Sequence, residues 1–366
     1  MAKLIHTADL HLKAGEEKAY CFSVLDEIIA LTLSEKARFL VVAGDLFDSF
    51  SDFEALRKEV CLRLAHLTDS GCEVVYIPGN HEARGSSAPL SAYNLDPVKF
   101  YAKPPFVFME AEGLEFLAVP HSENYDGYRD WKIPPKKPGV ARVAVMHALN
   151  STIYTGPDPE SDAKTGVIDD DFFKRFSIDY AAMGHVHAGR QQALGGAMVC
   201  YPGSPRVWRT HIREAGPRSV CVVETGGPTP AVRTVEIKSA GQYREFTLPL
   251  DLNGVPAEAA VKKMEVELNK LDLARVTLAG VVEDENAAKA SAGELERRLR
   301  AWLRQAYVEL ETTVVADISS NSLARAFLAE LDPLKPAETH GADYRKWLLA
   351  RQYGLAALSA RIVEGK

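Results

Sequence analysis

No stretch of the sequence approaches the roughly 20 consecutive apolar residues that a membrane-spanning helix requires. A secretory signal pattern is absent as well, because MAKLIHTADLHL leads at once into polar sequence with histidine and aspartate. Internal repeats and low-complexity tracts are also missing. These absences predict a globular protein of the cytoplasm that does not enter a membrane.

Cysteine is scarce, with five residues that are odd in number and never spaced as C-x-x-C. The sequence therefore has neither the even count of a disulfide framework nor the paired thiols of a zinc knuckle. Most of the five stand among apolar residues, so we expect buried free thiols and a reducing compartment. They are Cys21, Cys61, Cys72, Cys200 and Cys221.

The chain also lacks an excess of positive charge, since its formal net charge is −7. This balance argues against a protein that coats nucleic acid without specificity, which is normally basic. It does not argue against an enzyme acting on nucleic acid. Local basic surface and bound divalent cations can supply the positive field that the sum over the whole chain hides.

What the sequence does contain is a regular alternation of short apolar runs and helical periodicity over roughly its first 225 residues. Runs such as FLVVAGD and EVVYIPGNH are rich in Val, Ile, Leu or Ala, and nearly all of them end in Gly, Asp, Asn or His. Such runs are typical of strands buried on both faces of a layered α/β sheet. Polar residues at the strand ends are where the active sites of these sheets lie.

Three parts are predicted, because the pattern breaks near residues 226–243 and changes again near 319. Residues 1–238 form an α/β catalytic domain, 239–318 a small α+β capping domain, and 319–366 a helix-loop-helix tail. The capping domain has no cluster of His, Asp or Cys, so we expect it to shape or cover a site. The two amphipathic helices of the tail either dock on their own body or bind a groove of a partner.

Five short motifs carry residues that bind metals, in the order D-x-H, G-D, G-N-H, a single H and G-H-x-H. Each motif alone is weak, because a lone histidine after a strand is usually a hydrogen-bonded structural residue. Their conjunction, always at the end of a predicted strand, is specific. The ligand-type residues are Asp9, His11, Asp45, Asn80, His147, His185 and His187.

The residue types explain the chemistry, since mixed imidazole and carboxylate ligands suit Mn²⁺, Fe²⁺ and Zn²⁺. Asp45 is the natural bridge between two cations, and Asn80 adds a neutral oxygen ligand. Two cations about 3.5–4 Å apart activate a water and clamp the attacking and leaving oxygens of an in-line displacement. The sequence therefore predicts a dinuclear centre that hydrolyses phosphate esters.

These motifs resemble the signature of the calcineurin-like metallophosphoesterase superfamily. The resemblance implies a four-layer β-sandwich flanked by helices, and a histidine, here His81, that stabilises the transition state or protonates the leaving oxygen. It also assigns ligands to each of two divalent cations. The first cation would be held by Asp9, His11, Asp45 and His187, and the second by Asp45, Asn80, His147 and His185.

Within the superfamily, ADLH, GDLFDS and YPGSP are similar to the SbcD branch, the nuclease subunit of bacterial DNA-repair exonucleases. The resemblance implies a Mn²⁺-dependent 3′–5′ exonuclease and endonuclease that acts on DNA in double-strand break repair. It implies a homodimer built on the helices after GDLF and GNH, which makes the helical stripe Phe53–Leu67 a candidate dimer face as well as a candidate core face. Residues 319–366 would bind an SMC-like ATPase of the SbcC type.

Two positions depart from the family pattern. Glu82 follows G-N-H where Asp is frequent, and we expect it to orient a neighbouring histidine. Archaeal and eukaryotic relatives have a second catalytic histidine at the position of Asp48, whereas bacterial members commonly have Asp there. This leaves His81 as the predicted catalytic histidine.

Other residues have two interpretations. We expect His121, the last residue of LAVPH, to be a hydrogen-bonded structural histidine, and His66 and His340 to be solvated or packed. A basic stretch after YPGS either holds a DNA backbone and stacks a base or forms a solvated face with one buried Trp. It comprises Arg206, Trp208, Arg209, His211 and Arg213. The lysines at 132, 136 and 137 predict an exposed loop that could touch phosphates.

Two further functions fit the same motifs. A metallophosphoesterase acting on cyclic nucleotides or phosphomonoesters needs the same metal centre, although the long extension after the catalytic domain would be superfluous for it. A non-catalytic scaffold on the same fold is the other alternative, and degenerate ligands would be expected there.

Overall fold

The computed structural model describes residues 2–83, 95–96, 98–154, 165–207, 215–227, 229–337 and 341–364. The chain divides into two compact units, Met1–Arg209 with Gly216–Gly241, and Thr210–Ala215 with Gln242–Lys366. No helix among the described residues is both long enough and apolar enough to cross a bilayer. The division near residue 241 lies close to the predicted boundary at 238, and the tail falls within the second unit.

The first unit is built from short strands with a few helices between them. Its elements are, in chain order, β1 (Lys3–Thr7), α1 (Lys18–Ser34), β2 (Phe39–Ala43), α2 (Phe50–Asp69), β3 (Glu73–Ile77), α3 (Asn80–Ala83), β4 (Lys99–Phe100), β5 (Val107–Ala111), β6 (Leu114–Val119), β7 (Ala141–His147), β8 (Leu149–Asn150), β9 (Val167–Ile168), α4 (Asp170–Arg175), β10 (Tyr180–Gly184), β11 (Arg190–Leu194), β12 (Ala197–Tyr201), β13 (Ser219–Glu224) and β14 (Ala231–Glu236).

Two six-stranded sheets form the body of this unit, in the orders β14-β13-β1-β2-β3-β4 and β11-β12-β10-β7-β6-β5. Their inner faces share one core, in which Phe39 of the first sheet meets Phe116 of the second with ring centroids 4.9 Å apart. Helices α1 and α2 cover the outer face of the first sheet, and α4 covers that of the second. The resulting helix–sheet–sheet–helix layering confirms the predicted four-layer sandwich.

Buried strands explain why this part of the sequence reads as continuous apolar runs. Every residue of β2 (FLVVA) and β10 (YAAMG) is buried, because each strand is covered by the opposite sheet on one face and by helices on the other. All five cysteines are free, and all but Cys61 are buried. The expectation of buried free thiols is therefore confirmed except at Cys61, which is partly exposed.

The stripe along α2 is a core face. Its residues Phe53, Leu56, Val60, Leu64 and Leu67 are all buried in the core between this helix and the first sheet. The helix begins after Ser49, whose side chain accepts a hydrogen bond from Asp52 N. These five side chains are therefore not available as a dimer face, and the homodimer remains a prediction.

The second unit has its own sheet and core. Its elements are β15 (Tyr243–Pro249), α5 (Glu258–Glu267), β16 (Leu273–Val282), α6 (Glu285–Arg300), β17 (Gln305–Val314), α7 (Val315–Ile318), α8 (Ser322–Leu331) and α9 (Gly341–Glu364). The strands β15, β16 and β17 are parallel neighbours in that order. Helix α6 ends at Arg300, and Tyr307 lies in β17. None of the candidate metal clusters found among the described residues lies in this unit.

The tail helices pack on their own unit. Leu355 of α9 and Ala324 of α8 are fully buried against Leu252, Val281 and Ile318. Two polar contacts join the pieces, from Trp347 Nε1 to Leu331 O (2.9 Å) and from Gln352 Nε2 to Leu250 O (2.7 Å). Of the two interpretations of the tail, docking on its own body is observed, and partner binding remains a prediction.

Candidate metal centre

The seven predicted ligands lie where five strands of the two sheets end. Within each sheet the strands concerned are parallel, so their carboxyl ends share one edge. The first sheet supplies the residues after β1, β2 and β3, and the second supplies the end of β7 and the residues after β10. In order these are Asp9, His11, Asp45, Asn80, His147, His185 and His187.

All seven side chains converge. His11 Nε2 lies 3.2 Å from His187 Nε2, and His147 Nε2 lies 3.2 Å from Asp45 Oδ2. Asn80 Oδ1 lies 2.8 Å from His147 Nε2, and a second ring nitrogen, His185 Nδ1, is 3.0 Å from the same oxygen. Asp9 shares a cluster of possible ligand atoms with His11 and His187, and another with Asp45 and His147.

This arrangement fits divalent cations. Among the described atoms, Asp45 Oδ2 is buried and accepts no hydrogen bond, although His147 Nε2 lies 3.2 Å away and His11 Nε2 4.0 Å away. Two facing Nε2 atoms and an amide oxygen between two ring nitrogens are typical of ligands that converge on cations. The mixture of carboxylate, amide and imidazole suits borderline metals such as Mn²⁺, Fe²⁺ and Zn²⁺. The assignment of each ligand to one of two cations remains a prediction.

The ligand loops have an uncommon backbone. Asp9, His11, Asp45 and His185 all have positive φ, at 55°, 44°, 51° and 93°. Non-glycine residues in this region are uncommon and concentrate at functional sites, where the surrounding structure holds them. The turns therefore direct the predicted ligands inward at the cost of backbone strain, which interactions elsewhere in the fold must offset.

Glycine is required beside these turns because the chains approach closely. A Cβ on Gly184 would overlap Ala43 O, and a Cβ on Gly79 would overlap the Asp45 carboxylate. The glycines in G-D, G-N-H and G-H-x-H thus allow strand ends of both sheets to meet.

Burial and neighbouring charge set the protonation of the centre. Burial opposes charge on the His147 imidazole, but the carboxylates of Asp45 and Asp9 outweigh it and raise the pKa of His147 to about 10. Burial lowers the pKa of His11 well below its usual value and raises that of Asp9. In the absence of cations the centre thus keeps a proton on His147 beside ionised Asp45.

Glu82 holds the turns that carry two of the ligands. Its carboxylate is 2% exposed and accepts hydrogen bonds from Gly79 N (2.8 Å), Asp45 N (3.0 Å) and Phe47 N (3.1 Å). Tyr76 OH donates a fourth at 2.7 Å. The expectation that Glu82 orients a histidine is corrected, because its partners are main-chain amides and a tyrosine. Burial and the Asp45 charge raise the pKa of Glu82 to about 7.

His81 stands at the rim of the centre. Its side chain is 21% exposed, and its ring lies edge-on to His11 with centroids 4.5 Å apart. Its main-chain N donates to Asp45 Oδ1 at 2.9 Å, so the turn fixes the residue independently of its ring. Asp48 lies beside both histidines, with Oδ1 3.6 Å from His11 Nδ1 and Oδ2 3.0 Å from Lys13 Nζ.

Two further residues near the centre have structural surroundings. His121 Nδ1 lies 3.4 Å from His147 O, and burial lowers the pKa of His121 to about 3, so the ring is neutral. This agrees with a structural histidine. Arg206 is 0% exposed, so it belongs neither to a solvated face nor to a surface that could hold DNA, and both interpretations of this residue are wrong. Its guanidinium donates hydrogen bonds to main-chain carbonyls and to Glu17 inside the fold.

Trp208, Arg209, His211, Arg213 and His340 lie outside the described residues. In the loop at 132–137, Lys136 pairs with Asp179 and Lys137 with Glu110. His66 is exposed on α2, as one of its two interpretations expected.

The chain is similar in sequence to several known proteins. The DNA double-strand break repair protein Mre11 of Methanopyrus kandleri is 29% identical over 234 residues, 56% of this chain and 48% of that protein. Mre11 of Sulfolobus acidocaldarius is 23% identical over 305 residues, 76% of this chain and 75% of that protein. The metallophosphoesterase YhaO of Bacillus subtilis is 25% identical over 244 residues, 60% of this chain and 56% of that protein.

The match to Methanopyrus kandleri Mre11 thus spans about half of that relative's length. Residues 2–189 match the model of the calcineurin-like phosphoesterase family, which is more than half of the chain. Together with the converging ligands at the strand ends, this match shows that the chain belongs to the calcineurin-like phosphoesterases, the metallophosphoesterases.

Proposed function

We propose that the chain is a Mn²⁺-dependent DNA nuclease, with 3′–5′ exonuclease and endonuclease activity in double-strand break repair. The observation that carries the proposal is the complete set of seven converging ligands with His81 at their rim. The likeness to Mre11 proteins supports DNA as the substrate. One such match covers 76% of the chain, which is longer than the first unit, so the likeness includes part of the second unit.

In this proposal the side chains of the centre have separate tasks. When bound, two cations supply positive charge for the phosphate and activate a water. Asp45 shares one cluster with His11 and another with Asp9 and His147, so it would contribute to both cation positions, while Asn80 would add an oxygen without further negative charge. His81 Nδ1 donates to Asp48 O, so Nε2 is the nitrogen that exchanges a proton with the leaving oxygen.

Partners follow from the same likeness. We propose that residues 319–366 bind an SMC-like ATPase of the SbcC type, and that the chain works as a homodimer in the cytoplasm. The described tail helices support a docking role, because Leu323, Leu334, Leu349 and Tyr353 remain exposed after the tail has packed on its own unit. Exposed apolar residues on a helical hairpin are typical of a protein-binding surface.

The decisive experiment offers several phosphate esters to the purified chain with Mn²⁺. We expect degradation of end-labelled DNA, faster for single strands and small phosphodiesters than for long duplexes, because the ATPase surface that clamps DNA is absent. A His81→Gln preparation carried through the same purification controls for contaminating nucleases. Activity confined to phosphomonoesters or cyclic nucleotides eliminates the nuclease and establishes the alternative small-substrate enzyme.

A further inference from the structure

The segment of residues 203–206, in the loop after β12, contacts both loops that carry the paired ligands. One loop holds Asp9 and His11 and belongs to the first sheet, whereas the other holds His185 and His187 and belongs to the second. These two pairs are far apart in sequence, yet Asp9, His11 and His187 have possible ligand atoms within 4.8 Å of one another. A rigid connection between their main chains therefore bears directly on the geometry of the centre.

Ser204 forms the connection through one side chain and one amide. Its main-chain N donates to His187 O at 3.1 Å, and its Oγ contacts Asp9 O at 2.8 Å and Arg206 O at 2.9 Å. Gly203, just before it, has φ +80°, and a Cβ there would come within 2.6 Å of His187 O. The close approach therefore requires glycine at this position.

Arg206 completes the connection on the side of the first sheet. Its Nε donates to Leu10 O at 2.6 Å, and its Nη2 donates to His11 O at 2.5 Å. Its Nη1 lies 3.0 Å from Glu17 Oε2, which balances the buried charge. Charge-assisted hydrogen bonds of this kind are stronger than neutral ones, and a buried guanidinium persists only where such partners surround it.

The consequence is that three successive carbonyls, those of Asp9, Leu10 and His11, all accept hydrogen bonds from residues 204–206. Asp9 and His11 have the left-handed φ values of 55° and 44°, which an unrestrained loop would abandon. The contacts of residues 204–206 therefore hold the strained loop in the conformation that turns both side chains inward.

We propose that Ser204 and Arg206 are positioning residues, which clamp the Asp9–His11 loop to His187 and so set the affinity of the cation position that these three ligands form. The proposal rests on the metal centre of the proposed function. The other position, with Asn80, His147 and His185, shares one support with the first, since the Asp9 carboxylate accepts from His185 N at 2.9 Å. It also has a support that residues 204–206 do not touch, the contact of 2.8 Å between His147 Nδ1 and Ala43 O. Loss of the clamp should therefore weaken the position of Asp9, His11 and His187 more than the other.

The test is a Mn²⁺ titration of Arg206→Gln and Ser204→Ala in the full-length chain, by calorimetry and by electron paramagnetic resonance. The wild type is expected to bind two Mn²⁺ and show the spectrum of a coupled pair. For Arg206→Gln we expect one of the two positions to weaken roughly 10- to 100-fold, the effect typical of groups that orient metal ligands, and the uncoupled spectrum of a single ion at intermediate Mn²⁺. Ser204→Ala should shift the same position in the same direction by less.

Arg142→Gln is the matched control. Arg142 is also a buried arginine of the first unit, 2% exposed, and it bonds Glu115, Phe176 O and Pro134 O at the opposite end of β7 from His147. We expect it to lower the melting temperature while retaining two Mn²⁺ with the affinity of the wild type. Arg206→Lys, which keeps the charge but fewer donors, should recover part of the lost affinity.

The outcomes separate the clamp from the centre itself. The clamp is overturned if folded Arg206→Gln and Ser204→Ala keep two positions of unchanged affinity, or if both positions weaken equally. Either result leaves the proposed function standing. A wild-type chain that binds no Mn²⁺ overturns the metal centre, and the clamp with it. If Arg206→Gln does not fold, Ser204→Ala decides alone, since it removes a single hydroxyl.

Discussion

His81 Nδ1 lies 2.7 Å from the main-chain carbonyl oxygen of Asp48. A carbonyl oxygen only accepts, so Nδ1 carries the hydrogen and Nε2 is left to face the centre. The contact ties the turn after β2, with the ligand Asp45, to the turn after β3. The contact thereby fixes the tautomer of His81, in keeping with its proposed role as the group that exchanges a proton with the leaving oxygen.

Replacing His81 should abolish turnover and spare the metals. In His81→Gln we expect kcat on a small phosphodiester to fall about 10²- to 10⁴-fold, the usual contribution of a positioned acid or base. Mn²⁺ content should stay at the wild-type value, because the main-chain N of residue 81 and not its ring bonds Asp45. Hydrolysis at the full rate in this variant would show that another group protonates the leaving oxygen.

Asp48 should matter through His11. Its Oδ1 is 3.6 Å from His11 Nδ1, so Asp48→Asn removes a negative charge beside the ring of a predicted ligand. We expect metal affinity, measured by calorimetry, to fall roughly 10- to 100-fold. Asp52→Asn is the control, since Asp52 bonds Ala14 N and Ser49 near the start of α2. Equal affinities in the two variants would contradict a role for Asp48 at His11.

Glu82 should matter for stability more than a surface carboxylate does. Glu82→Ala leaves the amides of Gly79, Asp45 and Phe47 without their acceptor, at about 1–3 kcal/mol for each buried donor. We expect the free energy of unfolding in urea to fall by about 3 kcal/mol or more. Tyr76→Phe removes one hydroxyl only and should cost about 1 kcal/mol. A loss no larger than that of Tyr76→Phe would mean that water replaces the carboxylate.

Metal binding should release protons. The pKa of His147 is raised to about 10 by Asp45 and Asp9, so at neutral pH the metal-free centre holds a proton that a cation must displace. The affinity for Mn²⁺ should therefore rise with pH up to about 10, tenfold per pH unit for each proton released. Calorimetry in two buffers of different ionisation enthalpy measures this number. Identical heats in both buffers would exclude a displaced proton.

The packing of the tail should depend on Leu355. This residue is fully buried between α8, α7 and β16, so Leu355→Ala should cost about 2–5 kcal/mol of local stability. Hydrogen exchange of α8 and α9 should accelerate while that of the first unit stays unchanged. Leu349→Ala, at an exposed position of the same helix, is the control. Equal exchange in both variants would show that Leu355 does not anchor the tail.

The sequence predicted best where each residue's task is local. Asp9, Asp45 and His147 could be located because each stands at the end of a short run typical of a buried strand, and strand ends converge in a parallel sheet. Residues whose partners are distant in the sequence were harder to predict. Arg206 stood in a stretch rich in cations, and nothing along the chain shows that its partners are carbonyls some 195 residues away.

Glu82 shows the same limit. Its main-chain partners lie up to 37 residues away and carry no sequence signal, because any residue supplies an N–H. The stripe on α2 was ambiguous for another reason. A core face and a subunit interface have the same periodicity and the same apolar residues, so only the position of the neighbouring sheet separates them.

The centre is divided between two halves of the chain, since the first four ligands come from one sheet and the last three from the other. Neither sheet alone supplies all seven predicted ligands, so the predicted site is complete only when the second sheet has packed on the first. Hydrolytic activity should therefore require the complete tertiary structure, and partly synthesised or unfolded copies should not cleave phosphodiesters.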